Sequence, residues 1–99
     1  MLQITKTQNA DGLVFALEGR LDTTTSPQLE AEVKALSPKV KNLEFDLAKL
    51  KYISSAGLRV ILAAQKTMNK QGKMVIKNVN DTVNEVFEIT GFANILTIE

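Results

Sequence analysis

The sequence predicts an α/β fold: one mixed β-sheet domain, residues 1–99, that opens with an antiparallel hairpin and continues as αβαβαβ, with helices packed on the sheet. Three observations carry this prediction. Two apolar N-terminal stretches flank Asp11-Gly12, a hairpin signal because the central turn positions favour residues that tolerate positive φ. Beyond them, helical and strand periodicities alternate, which implies parallel crossovers. The third is the stretch Asp46 to Leu62, DLAKLKYISSAGLRVIL, where a strand runs into two adjacent serines and a helix runs out.

Leu2 and Ile4 alternate with Gln3 and Thr5, a strand with one buried face. Leu13 to Leu17 is apolar throughout, which predicts a central strand buried on both faces and ended by Gly19. The polar run Arg20 to Pro27 opens the first helix, with Ser26 suited to the N-cap and Pro27 to the first helical position. Leu29, Val33 and Leu36 form its apolar stripe, and Ser37-Pro38 stops it. The third strand spans about Asn42 to Leu47, with Leu43, Phe45 and Leu47 on one face. Leu58, Ile61, Leu62 and Met68 mark the second helix, which ends near Gln71-Gly72 with the glycine as C-cap. Lys73 to Lys77 is a short strand flanked by lysines. Asn80 or Asp81 caps a third helix whose face is Val83, Val86, Phe87 and Thr90, and Gly91 terminates it. Ile95, Leu96 and Ile98 make a short last strand.

Composition narrows the function. The chain is 44% hydrophobic and 23% charged, which is globular. Twelve basic and eleven acidic side chains leave +1, and the lysines are dispersed, so neither nucleic acid nor an anionic membrane is expected as a partner. There is no Cys and no His, which removes disulfides, a thiol nucleophile, the commonest metal ligands and the commonest general base. The chain holds no apolar run of about 18 residues and no signal-peptide core, so a cytoplasmic protein is expected. Neither GxxxxGK[ST] nor GxGxxG occurs, and no cofactor is expected.

The candidate site is built from two loops. Ser54 and Ser55 fall at or just before a helix N-terminus, where backbone N–H groups lack helical partners and the macrodipole is positive. One hydroxyl can cap the helix, and a phosphate on a hydroxyl would be stabilised by the same donors. Gly57, in the first turn, points either to a close approach by a partner or to tight helix–strand packing. The second loop is Asp22-Thr23-Thr24-Thr25. It leaves the C-terminal end of the second strand, and such loops gather along one sheet edge where ligands bind. Its bland role is to turn the chain and cap the first helix. A serine nucleophile would need an activating base; Lys49 or Lys51 could serve only if burial lowered its pKa, so an enzyme is not expected. Arg59 is unfavourable to the dipole and reads as an exposed partner contact.

These residues resemble the STAS family, specifically bacterial anti-sigma factor antagonists. The resemblance covers nearly all of the chain, including the hairpin, Gly19-Arg20-Leu21-Asp22 and the DLAKLKYISSAGLRVIL core. Family members show a strand, then Asp-Ser-Ser/Thr-Gly-Leu, with the second residue phosphorylated. Carried over, that position is Ser55, with Ser54 as fallback, and Gly57 and Leu58 match the last two. Ser54 stands in place of the leading Asp and Ala56 follows the phosphoacceptor; the chain stops at Glu99, short of the terminal helix of many relatives.

The resemblance implies partner switching. Unmodified protein binds an anti-sigma factor that is also a serine kinase and frees the sigma factor; phosphorylation of Ser55 ends the complex and a serine phosphatase resets it. The partner-facing residues are then Asp22, Thr23, Thr24, Ser54, Ser55, Ala56, Gly57, Leu58 and Arg59. Leu58 is either a core anchor or an exposed hot spot, and Gly57→Glu or Gly57→Arg is expected to weaken binding with the fold intact. The alternative is a phosphorylation-independent STAS interaction module of a transport or stress-signalling assembly.

Overall fold

The fold was determined as a computed structural model, which describes residues 1–10 and 12–99. Among them, four strands form one sheet in the order β1-β2-β3-β4: β1 Leu2–Asn9, β2 Gly12–Leu21, β3 Asn42–Ile53 and β4 Lys73–Lys77. β1 and β2 pair antiparallel from Leu2↔Gly19 to Asn9↔Gly12, the expected hairpin; Asp11 of its turn lies outside the described residues. β3 pairs parallel with both β2 and β4, so each step between them is a crossover carrying a helix.

The helices are α1 Ser26–Lys34, α2 Ser55–Asn69 and α3 Asp81–Thr90. They cover one face of the sheet and close a single core. Phe15, Leu17 and Leu21 of β2 meet Leu43, Phe45, Leu47, Leu50 and Ile53 of β3, under Leu29, Val33, Ile61, Met68, Val83 and Phe87 of the helices. The Phe15 and Phe45 rings lie 5.6 Å apart at a tilt of 57°, a tilted contact that avoids the face-to-face sandwich their quadrupoles disfavour. β2 is central, as expected, but it is not buried on both faces: Val14 and Ala16 on the second face are half-buried.

Several boundaries differ from the sequence reading. Gly19 does not end β2. It takes φ +101° within the strand, and a Cβ there would run into the Met1 carbonyl. β3 runs on to Ile53 because its register against β2 slips twice, between Ala16 and Glu18 and between Gly19 and Arg20. Each slip inserts one residue into β3, so burial steps from Leu47 to Leu50 to Ile53 at intervals of three rather than two. Leu36 lies past the end of α1, which stops at Lys34. Gly72 is not the C-cap of α2; Lys70 is, and Gly72 lies where a Cβ would run into the Lys41 carbonyl.

Asn80 caps α3, its Oδ1 accepting from the Val83 N–H at 2.8 Å, and Gly91 ends the helix in the left-handed conformation. Thr90 is exposed; its hydroxyl donates to the Val86 carbonyl instead of joining the core. The expected last strand reduces to one bridge, Ile76↔Ile98, after a 3₁₀ turn at Phe92–Asn94. Ile95 falls outside it and is 55% exposed, while Leu96 is buried.

Candidate functional site

The ends of β2 and β3 are tied together. The Ser54 N–H donates to the Leu21 carbonyl at 2.9 Å, so the Asp22 loop and the serine turn leave the sheet side by side. The parallel register thus brings together two loops that are distant in the chain.

The two serines have different jobs. Ser54 is the N-cap of α2, in extended backbone conformation; its Oγ accepts from the Gly57 N–H at 3.4 Å and its carbonyl from the Leu58 N–H at 2.9 Å. Ser55 is the first helical residue and is exposed, and among the described residues its hydroxyl has no hydrogen-bond partner.

Behind them the helix faces inward. Leu58 is a core anchor, 2% exposed. Gly57 is buried against the sheet: a Cβ there would lie 2.6 Å from Leu21 Cγ, 2.9 Å from Leu21 Cδ2 and 3.1 Å from Ile53 Cγ1. Of the two explanations for this glycine, internal packing is the one observed. The expectation that Gly57→Glu or Gly57→Arg leaves the fold intact is therefore corrected, because the added side chain has to enter the space of two core residues. Neither Gly57 nor Leu58 offers a side chain to a partner; both shape the turn that carries Ser55.

The Asp22 loop is a closed hydrogen-bond cluster. Asp22 Oδ1 accepts from the Thr24 and Thr25 N–H groups at 3.0 Å each, and the Thr25 hydroxyl lies 3.2 Å away. In return the Asp22 N–H donates to Thr25 Oγ1 at 2.9 Å, and that hydroxyl donates to the Arg20 carbonyl at 2.9 Å. Ser26 is not the N-cap; it is the first residue of α1, buried, with its hydroxyl donating to the Asp22 carbonyl at 2.5 Å. Thr25 stands at the cap position without a side-chain cap bond; the Asp22 side chain instead turns the chain just before the helix, and the Asp22 carbonyl accepts from the Ser26 N–H. Thr23 and Thr24 remain exposed at the tip.

These contacts hold the Asp22 carboxyl below its ordinary value of 3.8, chiefly through the Thr25 N–H, then the Thr25 hydroxyl, the Thr24 N–H and the nearby Arg20 charge, against a desolvation that raises it. A carboxyl whose pKa is lower folded than unfolded adds stability above its unfolded pKa, and that stability is lost as pH falls through the folded one. Asp22→Asn keeps an acceptor but no charge. Its thermal midpoint should therefore fall below wild type at pH 7, and the gap should close on titration below 3.8. A gap that stays constant with pH in calorimetry would remove the charge from the account.

Between the two loops runs a groove of about 230 Å³ lined by Thr23, Ser26, Pro27, Glu30, Ala56, Arg59 and Val60. Arg59 is exposed on its rim, one helical turn after Ser55, and among the described residues it has no ion-pair partner. The predicted residues thus divide into an exposed rim of Thr23, Thr24, Ser55 and Arg59 and a supporting set of Asp22, Ser54, Gly57 and Leu58, with Ala56 half-buried in the groove.

Sequence reasoning missed the pair beside them. Arg20 lies opposite Tyr52 across β2 and β3, with its guanidinium carbon 4.4 Å from the ring centroid. The one signal available was the exposed-looking aromatic just before Ile53-Ser54; its partner depends on the strand register. Among the described residues no cluster of three or more potential ligands could hold a metal ion, and no helix is long and apolar enough to cross a membrane.

Comparison with known proteins agrees with this architecture. The STAS domain family matches residues 2–99. BtrV of Bordetella bronchiseptica, a candidate anti-sigma factor antagonist, is 42% identical over 91 residues, covering 89% of this chain and 78% of BtrV. Among solved structures, an anti-sigma factor antagonist from Mycobacterium paratuberculosis superposes with a TM-score of 0.86 at 19% identity, over 99% of this chain and 85% of that one. The Bacillus cell fate determinant SpoIIAA in its phosphorylated form does so with a TM-score of 0.75 at 19% identity, over 100% of this chain and 91% of that one. At those identities the structures establish the shared fold. With that fold, the match across residues 2–99 and a relative at 42% identity, the chain belongs to the STAS domain family.

Proposed function

We propose that this chain, acting as one STAS domain in the cytoplasm, is an anti-sigma factor antagonist whose binding surface is the Ser55–Asp22 edge and whose switch is phosphorylation of Ser55. The observation that carries this reading is the division of labour between the serines: Ser54 spends its hydroxyl on the cap, and Ser55 leaves its hydroxyl exposed and unengaged. The names of the relatives, anti-sigma factor antagonists, supply the partner class, and SpoIIAA, solved in a phosphorylated form, supplies the precedent for the modification.

In this reading the unmodified edge docks an anti-sigma factor with serine kinase activity and the sigma factor is released. The Ser55 oxygen then attacks the γ-phosphorus of ATP held by the kinase, its proton passes to a base of the kinase, and ADP leaves. The new group brings about −1.5 to −2 charges into a patch that has to be desolvated for binding, so the complex dissociates. A serine phosphatase restores the hydroxyl. The chain itself performs no catalysis and needs no cofactor.

The test is phosphorylation of the purified chain by the host anti-sigma kinase with ATP, mapped by mass spectrometry. Wild type and Ser54→Ala should gain one phosphate on Ser55, while Ser55→Ala should bind the kinase and gain none. Equal labelling of Ser55→Ala and wild type would move the assignment to Ser54. Binding without any labelling would favour the phosphorylation-independent interaction module.

A further inference from the structure

We infer that Arg20, held on Tyr52, is a specificity-determining contact that receives a carboxylate side chain of the protein partner. This rests on the proposed binding edge but extends it around the ends of β2 and β3, onto the side of those strands that faces away from the core.

The pair is built by the second register slip. Gly19 lies opposite Leu50, and unbroken pairing would set Arg20 opposite Lys51, two like charges face to face. The extra residue in β3 passes Lys51 by and brings Arg20 opposite Tyr52 instead. The guanidinium carbon then sits 4.4 Å from the ring centroid, within the range of a cation–π contact. From the other side, the Arg20 N–H donates to the Met1 carbonyl at 3.1 Å and the Arg20 carbonyl accepts from Thr25, so the backbone is held at both ends.

The charged head, by contrast, makes one long ion pair. Its Nε is 3.8 Å from Asp22 Oδ2, beyond hydrogen-bond range, and among the described residues no other side chain forms an ion pair with it. The Arg20 side chain is 56% exposed and Tyr52 is 38% exposed. An arginine is therefore held on an aromatic face with more than half of its side chain open to solvent. That geometry matches a carboxylate in bidentate fashion, and the ordering cost of the long side chain has been met before binding. Arg and Tyr are also among the residues that most often dominate binding energy. The nearby Asp22 carboxylate gives its Oδ1 to its own loop and turns Oδ2 toward the Arg20 Nε at 3.8 Å, a long ion pair on one edge of the head.

The experiment measures affinity of the host anti-sigma factor for wild type, Arg20→Glu, Arg20→Lys and Tyr52→Leu by calorimetry at low and high salt, each variant first shown to keep its thermal midpoint. Arg20→Glu should bind about thirtyfold or more weakly and show a shallower salt dependence, while Arg20→Lys and Tyr52→Leu should each lose about three- to tenfold. Binding of Arg20→Glu within twofold of wild type overturns the inference while leaving the proposed function standing. An effect of Arg20→Glu seen only in protein phosphorylated on Ser55 also overturns it, by assigning the guanidinium to the phosphate instead. A second measurement needs no natural partner. In NMR titrations, an acetylated hexaglutamate peptide should shift the Arg20 side-chain N–H and the Tyr52 ring more than the Arg59 side chain, and Tyr52→Leu should abolish the preference. Equal shifts at both arginines would overturn the assignment even if no anti-sigma factor bound at all.

Discussion

Gly57→Arg should destroy the cooperative unfolding transition of the domain or lower its stability by more than about 4 kcal/mol, the range reached when overpacking and an unpaired buried charge act together. The first atom of the new side chain would already lie 2.6 Å from Leu21 Cγ and 3.1 Å from Ile53 Cγ1. Both neighbours belong to the core, at 0% and 2% exposure, and have nowhere to move without disturbing it. Gly57→Ala is the graded version. It meets the same two side chains at an overpacking cost of about 1–3 kcal/mol, and regains about 1 kcal/mol of helix propensity, so a net loss of about 2 kcal/mol at most is expected. Urea melts of the three proteins decide this. A Gly57→Arg protein with a wild-type midpoint would show that the turn can open away from the sheet.

Ser55→Asp should separate fold from function in the opposite direction. Ser55 is the first residue of α2 and is exposed, so a negative charge there meets the positive end of the helix and favours the fold by about 0.3–1 kcal/mol. The thermal midpoint should stay at or slightly above wild type. Affinity for the anti-sigma partner should fall tenfold or more, about 1.4 kcal/mol, because the same charge has to be desolvated in the complex. Calorimetric binding of Ser55→Asp at wild-type strength would remove the electrostatic switch from the proposal. The two substitutions lie two residues apart on one helix, and the contrast between them would mark where the core ends and the proposed binding edge begins.

Local pattern made most of the fold legible. The alternation at Leu43, Phe45 and Leu47, the helical spacing from Leu58 to Met68 and the cap at Asn80 are each decided within a few residues of chain. The readings that changed are those decided by distant segments. Gly19 reads as a stop, but Met1 across the hairpin makes it a strand residue. Gly72 reads as a cap, but its neighbour is Lys41. Leu50 and Ile53 break the period of two because β3 carries residues that β2 does not match. At the site, Ser55 and Asp22 were legible as loop residues, since strand ends of this topology share an edge. Arg20 with Tyr52 was not, because the pairing depends on a one-residue slip that no local pattern encodes.

The hydrogen bond from Ser54 to the Leu21 carbonyl has a kinetic consequence. It joins strands that pair in parallel and are separated by the whole of α1, so it forms only after a long stretch of chain has closed on itself. Until then Ser55 lies in a segment with no Asp22 loop beside it and no sheet to fix the start of α2. A peptide containing residues 46–62 should accordingly be a poor substrate for a kinase that reads this edge. Under the proposed function, a nascent or unfolded chain would not be phosphorylated, and competence to bind would arise together with the native state.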